Sequence, residues 1–412
     1  MTDLLMLGGA GQMGRAAAAT LARAPEVNRL VVTDLVAQRA VEFAKTLGPK
    51  AIGVGLDVTD APALRAALAE CDLVLNTVGP FFRFGAPILA AAIEVGRDYI
   101  DICDDWEPTL AMLAMDEKAC AAGTVALVGM GSSPGVANLL ALLAARELDT
   151  VDSLITAWSG EDAPEPVSDS DGPSAAYVHA VHQISGSIRV RRNGFPVDRR
   201  ALERIVIDYP GIGAGVGYSF GHPEAVTLDR ALPGLRNNTN VMLGGPTLIT
   251  VGRTLRWLVA RGVLTADRAA AVAERTLGLL PATSPLRPGS LPPLFALATG
   301  SRAGERASAA TALAQVPGAS MAENTGIPLA VAALQLLRAD SVPQARRRPG
   351  VHTPETLIDP AEFFAAFAPH CIGAPPAAAM TVTTRSWSSA EENATCLRTS
   401  LLTAFLAAGT VG

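Results

Sequence analysis

The stretch Leu4-Leu5-Met6-Leu7-Gly8-Gly9-Ala10-Gly11-Gln12-Met13-Gly14 decides the fold of this chain. Four apolar residues read as a short buried strand, and Gly9, Gly11 and Gly14 spell G-x-G-x-x-G directly behind it. An alanine-rich helical pattern, Arg15 to Arg23, follows at once. Each glycine has a mechanical task in a dinucleotide-binding turn: a tight bend, close backbone approach to a pyrophosphate, and close helix–strand packing. The helix N-terminus behind them offers N–H groups and a positive dipole end to phosphate. Gln12 and Met13, inside the loop, join the three glycines as expected cofactor contacts. A second apolar strand, Leu30 to Thr33, ends in Asp34, twenty residues after Gly14. A carboxylate there accepts hydrogen bonds from an adenosine ribose diol and repels a 2′-phosphate, so NAD is expected ahead of NADP.

The same rhythm continues outward. Ala51 to Leu56 reads as a strand ending in Asp57-Val58, and Leu73 to Asn76 as one ending in Thr77-Val78-Gly79-Pro80. A helix from Pro87 to Val95 leads to strand Asp98–Ile102, and Pro108–Ala122 is a further helix. Strand Thr124–Leu127 runs into Val128-Gly129-Met130-Gly131. Strands alternating with helices at this spacing specify an α/β, doubly wound parallel sheet of Rossmann type. Ligands of such sheets bind beyond the carboxyl ends of the strands. Asp57, Val58, Thr77, Val78, Gly79 and Gly131 therefore complete the expected cofactor contacts. Asp101, Asp104 and Asp105 are the acids nearest the nicotinamide end; Asp105 also suits a helix N-cap, which leaves Asp101 and Asp104 as candidates to hold an ammonium or move a proton.

Composition bounds the rest. The 412 residues suggest two or three domains, 49% apolar content supports large cores, and 17% charged content argues against disorder. A net charge of −6 speaks against nucleic acid as a partner. Only Lys45, Lys50 and Lys118 are lysines, so a lysine Schiff base is not expected. Five scattered cysteines without a C-x-x-C pair fit a reducing cytoplasm. The N-terminus lacks the basic region of a signal peptide, and no apolar run approaches the ~20 residues of a membrane span. A cytoplasmic protein without membrane partners is expected.

The middle of the chain changes character. Leu154–Trp158 reads as a strand, and Gly160–Ala176 carries Glu161, Asp162, Glu165, Asp169 and Asp171, an acidic loop. Tyr177–Ile184 is helix-like; His179 and His182 share a face, but no carboxylate or cysteine set accompanies them, so no metal is expected. Ser187–Arg192 and Phe195–Val197 flank Asn193-Gly194, a hairpin signal. Strands are expected at Ile205–Asp208, Val216–Phe220 and Ala225–Leu228, giving a mixed sheet over 150–250. Pro246–Gly278 and Pro285–Gly300 read as helices and loops, and Arg346-Arg347-Arg348 as a solvated loop. His222, in Gly221-His222-Pro223-Glu224, is the candidate acid–base group for an amine substrate; the plain alternative is a turn histidine.

Several segments together resemble the saccharopine dehydrogenase-like oxidoreductases: Gly8–Gly14, Asn76-Thr77-Val78-Gly79-Pro80-Phe81, Tyr99-Ile100-Asp101-Ile102, Ser133-Pro134-Gly135-Val136-Ala137-Asn138 and Glu323-Asn324-Thr325-Gly326-Ile327-Pro328. The resemblance implies an NAD(P)-dependent enzyme whose Rossmann domain, 1–132 plus 325–370, is interrupted by an inserted α+β substrate and dimerisation domain, 133–324. Residues 371–412 stay unassigned. It implies a homodimer and, commonly, amine–imine chemistry on an amino-acid or polyamine-like molecule, with Phe81, Phe84, Pro134 and Gly135 near the substrate. It also makes 302–316 a strand despite its alanines and starts a helix at Pro328, which suits the first helical position. Two departures argue against saccharopine itself. Asp34-Leu35 replaces the Ser-Arg that holds NADP, and Phe84 replaces a tyrosine before Gly85. Some relatives reduce carbon–carbon double bonds in lipid assembly, so an enoyl reductase on a carrier-bound lipid stays open, as does a redox sensor that holds NAD without turnover.

Overall fold

In a computed structural model the described residues are 2–160, 173–277, 290–318, 320–340 and 348–398. The chain opens with strands β1 (Thr2–Leu7), β2 (Val27–Asp34), β3 (Ala51–Gly55), β4 (Leu73–Asn76), β5 (Asp98–Asp101) and β6 (Val125–Leu127). They alternate with helices α1 (Gln12–Ala22), α2 (Ala37–Thr46), α3 (Ala61–Ala69), α4 (Phe81–Val95), α5 (Trp106–Leu113) and α6 (Asp116–Ala122). Next come α7 (Val136–Ala145), β7 (Thr150–Ser159), α8 (Ala175–Ile184), β8 (Ser187–Arg192), β9 (Phe195–Arg200), β10 (Arg204–Tyr209) and β11 (Gly213–Ser219). α9 (Glu224–Thr227), β12 (Asn237–Leu243), α10 (Pro246–Ala260), α11 (Ala266–Leu277), β13 (Leu294–Arg302) and β14 (Glu305–Leu313) follow. After these come α12 (Met321–Asp340), β15 (Gly350–His352), α13 (Pro354–Leu357), α14 (Pro360–Phe367) and β16 (Thr381–Arg385). Two units result: Met1–Val136 with Ala322–Ile358, and Ala137–Met321 with Asp359–Gly412. Pro360–His370 thus falls in the second unit. The acidic stretch from Glu161 to Asp171 and Arg346-Arg347 lie outside the described residues.

The first unit is a seven-stranded sheet in the order β15-β6-β5-β4-β1-β2-β3, parallel throughout. The order reverses between β1 and β4, which makes their carboxyl ends the switch point where doubly wound sheets bind ligands. Leu4 to Leu7 are fully buried, worth ~1.5–3 kcal/mol for each large apolar side chain. α1 packs through Gly14, Ala17, Ala18 and Leu21, the spacing of one helical face. Two helix starts differ from expectation. α4 begins at Phe81 and carries Pro87 inside it, so Phe81–Gly85 forms its first turn. α12 begins at Met321 and contains Pro328 in its interior. There Gly326 lies against α1, where a Cβ would stand 2.3 Å from the Met13 carbonyl oxygen. Burial of Leu329 to Ala333 holds the helix together across the proline, a case of packing overriding local propensity.

The second unit is a mixed sheet ordered β10-β11-β12-β7-β13-β14-β16, with the β8–β9 hairpin attached through β12. β7 and β12 pair in parallel; every other described pairing in this sheet is antiparallel. One face carries Ala157, Val241, Phe295, Ala310, Ala312 and Val382 into a core with Tyr209 and Ile207. The other presents Trp158 and Met242 to Phe220, Ile188 and Ile249. Two sequence expectations change here, and one strand goes unannounced. Residues 294–300, expected as helix or loop, are strand β13, because β7 and β14 pair with it on both sides and pairing overrides the helix preference of alanine. Ala225–Thr227, expected as strand, lies in the short helix α9 behind Pro223. β12 lacks the apolar alternation of a strand at its start: the Asn237-Asn238-Thr239-Asn240 run is polar, yet Asn238, Thr239 and Asn240 are buried.

Candidate functional site

The glycine loop closes on itself before any ligand is considered. Gly8 turns the chain at φ +70°, a conformation that favours glycine. Gly11 N donates to the Gly8 carbonyl at 2.9 Å, and Arg15 N donates to the Gly11 carbonyl at 2.8 Å. A Cβ on Gly14 would stand 2.5 Å from the Gly8 oxygen, 2.7 Å from Gly9 Cα and 2.9 Å from Thr77 Oγ1. The third glycine therefore lets α1 meet both β1 and the loop after β4. Gly11 occupies the N-cap of α1 and has no side chain to cap it, so the helix end at Gln12 and Met13 presents backbone N–H groups suited to phosphate oxygens. Arg15 Nε donates to the Ala10 carbonyl at 2.7 Å and its guanidinium lies 4.5 Å from the Phe43 ring, which fixes the outer side of the loop.

The neighbouring strand ends complete a cradle. Thr77 N and Thr77 Oγ1 both donate to the Leu7 carbonyl at 2.9 Å. Val78 N donates to Asn76 Oδ1 at 2.9 Å, and Gly79–Pro80 is a cis peptide bond. Asp34 ends β2 half-buried, its Oδ1 accepting from Val36 N at 2.9 Å. Asp57, exposed at the end of β3, accepts from Thr59 Oγ1 at 2.7 Å and Thr59 N at 2.8 Å. Those bonds, the Thr59 hydroxyl first, hold its carboxyl below the usual range. Val58 is half-buried beside it.

Asp101 is fully buried with both oxygens engaged. Oδ2 accepts from Tyr99 OH at 2.8 Å, and Oδ1 accepts from Cys103 N at 3.0 Å and Gly129 N at 2.7 Å. Asn76 Nδ2 donates to the Tyr99 hydroxyl at 2.9 Å. This chain of bonds ties together the loops that follow β4, β5 and β6. Burial raises the Asp101 carboxyl to about 6 against the lowering effect of its hydrogen bonds, and burial likewise raises the Tyr99 hydroxyl and the Cys103 thiol. Asp104 is half-buried; Asp105 sits at the α5 N-cap, and its side chain makes no capping bond there. Phe81 is buried at the start of α4, Phe84 half-buried one turn on. Gly131, Pro134 and Gly135 form a closed turn: Gly131 N donates to the Pro134 carbonyl at 2.9 Å, Gly135 takes φ +118°, and Gly131 faces Thr325 of α12. Pro134 and Gly135 are buried in this turn.

His222 belongs to the second unit and is buried there. Its ring stacks on Trp158 with centroids 5.0 Å apart and meets Phe220 edge-on at 5.1 Å. A polar set shares the neighbourhood of Trp158. Trp158 Nε1 donates to Asn240 Oδ1 at 3.2 Å, which fixes the amide so that Asn240 Nδ2 donates to Thr156 Oγ1 at 3.0 Å and Glu224 Oε1 at 3.2 Å. Asn238 Nδ2 donates to the Glu224 carbonyl at 2.6 Å. Thr156, Glu224 and Asn240 are all fully buried. Arg15, Thr156 and Asn240 are not singled out in the sequence, and Asn76, Tyr99 and Glu224 appear there only inside quoted segments, with no role of their own. Arg15 directly behind the last glycine is the one local signal; the others depend on register.

The strand order, the glycine turn at its switch point and Asp34 define a dinucleotide-binding fold carrying a second, mixed-sheet unit. Residues 4–127 match the saccharopine dehydrogenase NADP binding domain. Among solved structures, apo histidine-tagged saccharopine dehydrogenase (L-Glu forming) from Saccharomyces cerevisiae aligns with a TM-score of 0.57 at 18% identity, over 88% of this chain and 96% of that one. Similarity at that identity establishes a shared fold. The trans-acting enoyl reductase of Mycobacterium tuberculosis is 33% identical over 103 residues, 24% of this chain and 25% of that protein. The trans-acting enoyl reductase of Mycobacterium leprae is 29% identical over 146 residues, 34% of this chain and 35% of that protein. The matches thus span between a quarter and about a third of these curated relatives. Residues 4–127 thus carry a nicotinamide dinucleotide-binding domain of the saccharopine dehydrogenase type, and the chain as a whole shares the saccharopine dehydrogenase fold. Among the described residues no helix is long and apolar enough to cross a membrane.

Proposed function

We propose that this chain is an NAD(P)-dependent oxidoreductase that moves a hydride to or from the carbon of a C–N bond in an amine or amino-acid-like substrate. The bound nicotinamide supplies or accepts the hydride, so the chain's own residues need only bind, orient and manage protons. The observation that carries the reading is the buried set in the second unit: the Glu224 carboxylate on Asn240, with His222 stacked on Trp158 and edge-on to Phe220. Aromatic faces and a carboxylate recognise an ammonium group; an acyl chain would call for a purely apolar surface. His222 is the proposed proton carrier, Asp104 a candidate ammonium partner, and Asp101 a positioning residue because both of its oxygens are engaged. Asp34 favours NAD over NADP.

A second reading, reduction of a carbon–carbon double bond in an enoyl substrate, is favoured by the names of the mycobacterial relatives. One assay separates the two. Diamines and basic amino acids are offered with NAD, and an enoyl thioester with NADH, while absorbance of the reduced nicotinamide is followed. The C–N reading expects NADH to appear with at least one amine and no consumption with the thioester; the opposite pattern overturns it.

A further inference from the structure

The second unit carries a group of arginines with few acids to neutralise it. α10 holds Arg253 and Arg256 three residues apart, on one helical face, and contains no acidic residue. Both reach the turn between β9 and β10. Arg253 Nη2 donates to the Leu202 carbonyl at 2.8 Å, and Arg256 Nη1 donates to the Ala201 carbonyl. Arg200 precedes that turn and Arg204 follows it, both exposed. Arg204 stands opposite Tyr218 in the β10–β11 register, and the Arg253 guanidinium lies 5.5 Å from the Tyr218 ring. The acid of the turn, Glu203, is already engaged, its Oε2 accepting from Arg199 at 2.8 and 3.1 Å.

The turn itself is firmly built. Ser219 Oγ donates to the Arg200 carbonyl and accepts from Glu203 N, both at 3.1 Å. Leu202 N donates to the Ser219 carbonyl at 2.7 Å, and Ser219 N donates to the Glu203 carbonyl at 2.9 Å. Every carbonyl from Arg200 to Glu203 therefore has a donor, and Leu202 is held at φ 60°, a conformation a bulky residue rarely adopts. Backbone strain of this kind tends to persist at ligand clamps. Burial, with Arg200 and Arg253 close by, lowers the Arg256 guanidinium from its ordinary value. In a chain of net charge −6 such a gathering of positive charge is local. Each guanidinium carries five N–H donors, and one carbonyl bond leaves the rest for a ligand.

We propose that Arg200, Arg253 and Arg256 form a binding site for the phosphoryl group of a soluble ligand, in addition to the glycine cradle of the first unit. The site is independent of the oxidoreductase reading. The Arg253 and Arg256 guanidiniums, already ordered by the turn, can grip phosphoryl oxygens in bidentate fashion with little further loss of freedom. The test is calorimetric titration of inorganic pyrophosphate into the full chain, with and without saturating NADH to occupy the cradle. A pyrophosphate site that persists with NADH is expected. Arg200→Gln, which leaves both bonds to the turn's carbonyls in place, should weaken that site about tenfold or more. The Arg253→Gln/Arg256→Gln pair should abolish it, with thermal melting reporting whether the fold survives. The proposal is overturned if Arg200→Gln titrates like the wild type, or if sodium chloride at matched ionic strength reproduces the signal. It is equally overturned if the chain sediments with phosphatidylglycerol vesicles while pyrophosphate fails to bind.

Discussion

The two units build their polar clusters from different materials. In the first, the critical groups are backbone: the turn through Gly8, Gly11 and Gly14 brings the N-terminus of α1 forward, and Thr77, Asn76 and Asp101 turn inward to hold loops. In the second, they are side chains standing on a sheet: Thr156, Trp158 and Asn240, with His222 and Glu224 against them. Topology explains the difference. A parallel sheet sends all its carboxyl ends to one edge, so loops gather there and backbone can do the recognising. A mixed sheet scatters its strand ends, and the surface its strands share is a face.

The largest effect should come from the side-chain cluster. His222→Asn is expected to lower kcat by ~10²–10⁴-fold, the usual contribution of a general acid–base group, while NADH affinity stays unchanged. Steady-state kinetics on the amine found by the substrate panel would decide. A variant that keeps most of its kcat would break the comparison, since the second unit would then supply no chemistry through this ring.

Asp101 sharpens the contrast, because it is a side chain serving backbone. Its carboxyl moves from an ordinary 3.8 up to about 6 on folding. A raised folded value stabilises the protein below pH 3.8 and loses that stabilisation as pH climbs through about 6. The interval is worth about 3 kcal/mol. Asn resembles the protonated acid, so the stability of wild type minus that of Asp101→Asn should fall between those two pH values in urea titrations. A flat difference would mean that Asp101 is not a buried titrating group.

Gly14→Ala probes the backbone surface directly. The added methyl meets three atoms within 3 Å, two of them backbone. An overpacking cost of ~1–3 kcal/mol corresponds to roughly 10- to 100-fold weaker NADH binding, read by nicotinamide fluorescence. Unchanged affinity would show that the loop can relax and that glycine is not required there.

The smallest effect is expected at Asp34. Serine can keep the bond to Val36 N, while loss of the carboxylate ends the repulsion of a 2′-phosphate. Asp34→Ser with Leu35→Arg should shift the ratio of kcat/KM for NADP over NAD upward by about tenfold, one charge-assisted hydrogen bond. A wild type that already prefers NADP would remove the basis for this prediction.

Much of the first unit is legible in the sequence because its signals are local. G-x-G-x-x-G behind an apolar strand and the repeated strand–helix spacing are set by neighbours a few residues apart, and they announce β1 to β6 and the glycine cradle. Even there, Phe81–Gly85 reads as loop and Pro328 as a helix start, because the burial that extends α4 and α12 past them is contributed by distant parts of the chain.

What the amino-acid sequence determined by itself is therefore the Rossmann class, the position of the phosphate-facing turn and the acid at the end of β2. The tertiary structure alone decided that polar Asn237–Leu243 is a central strand, that alanine-rich Leu294–Arg302 pairs on both sides, and that Asp101 is a buried tie between loops. The physical reason is partnership. A helix or a glycine turn satisfies its own backbone within a few residues, whereas a strand, or a buried carboxylate, is defined by whichever distant group completes its hydrogen bonds.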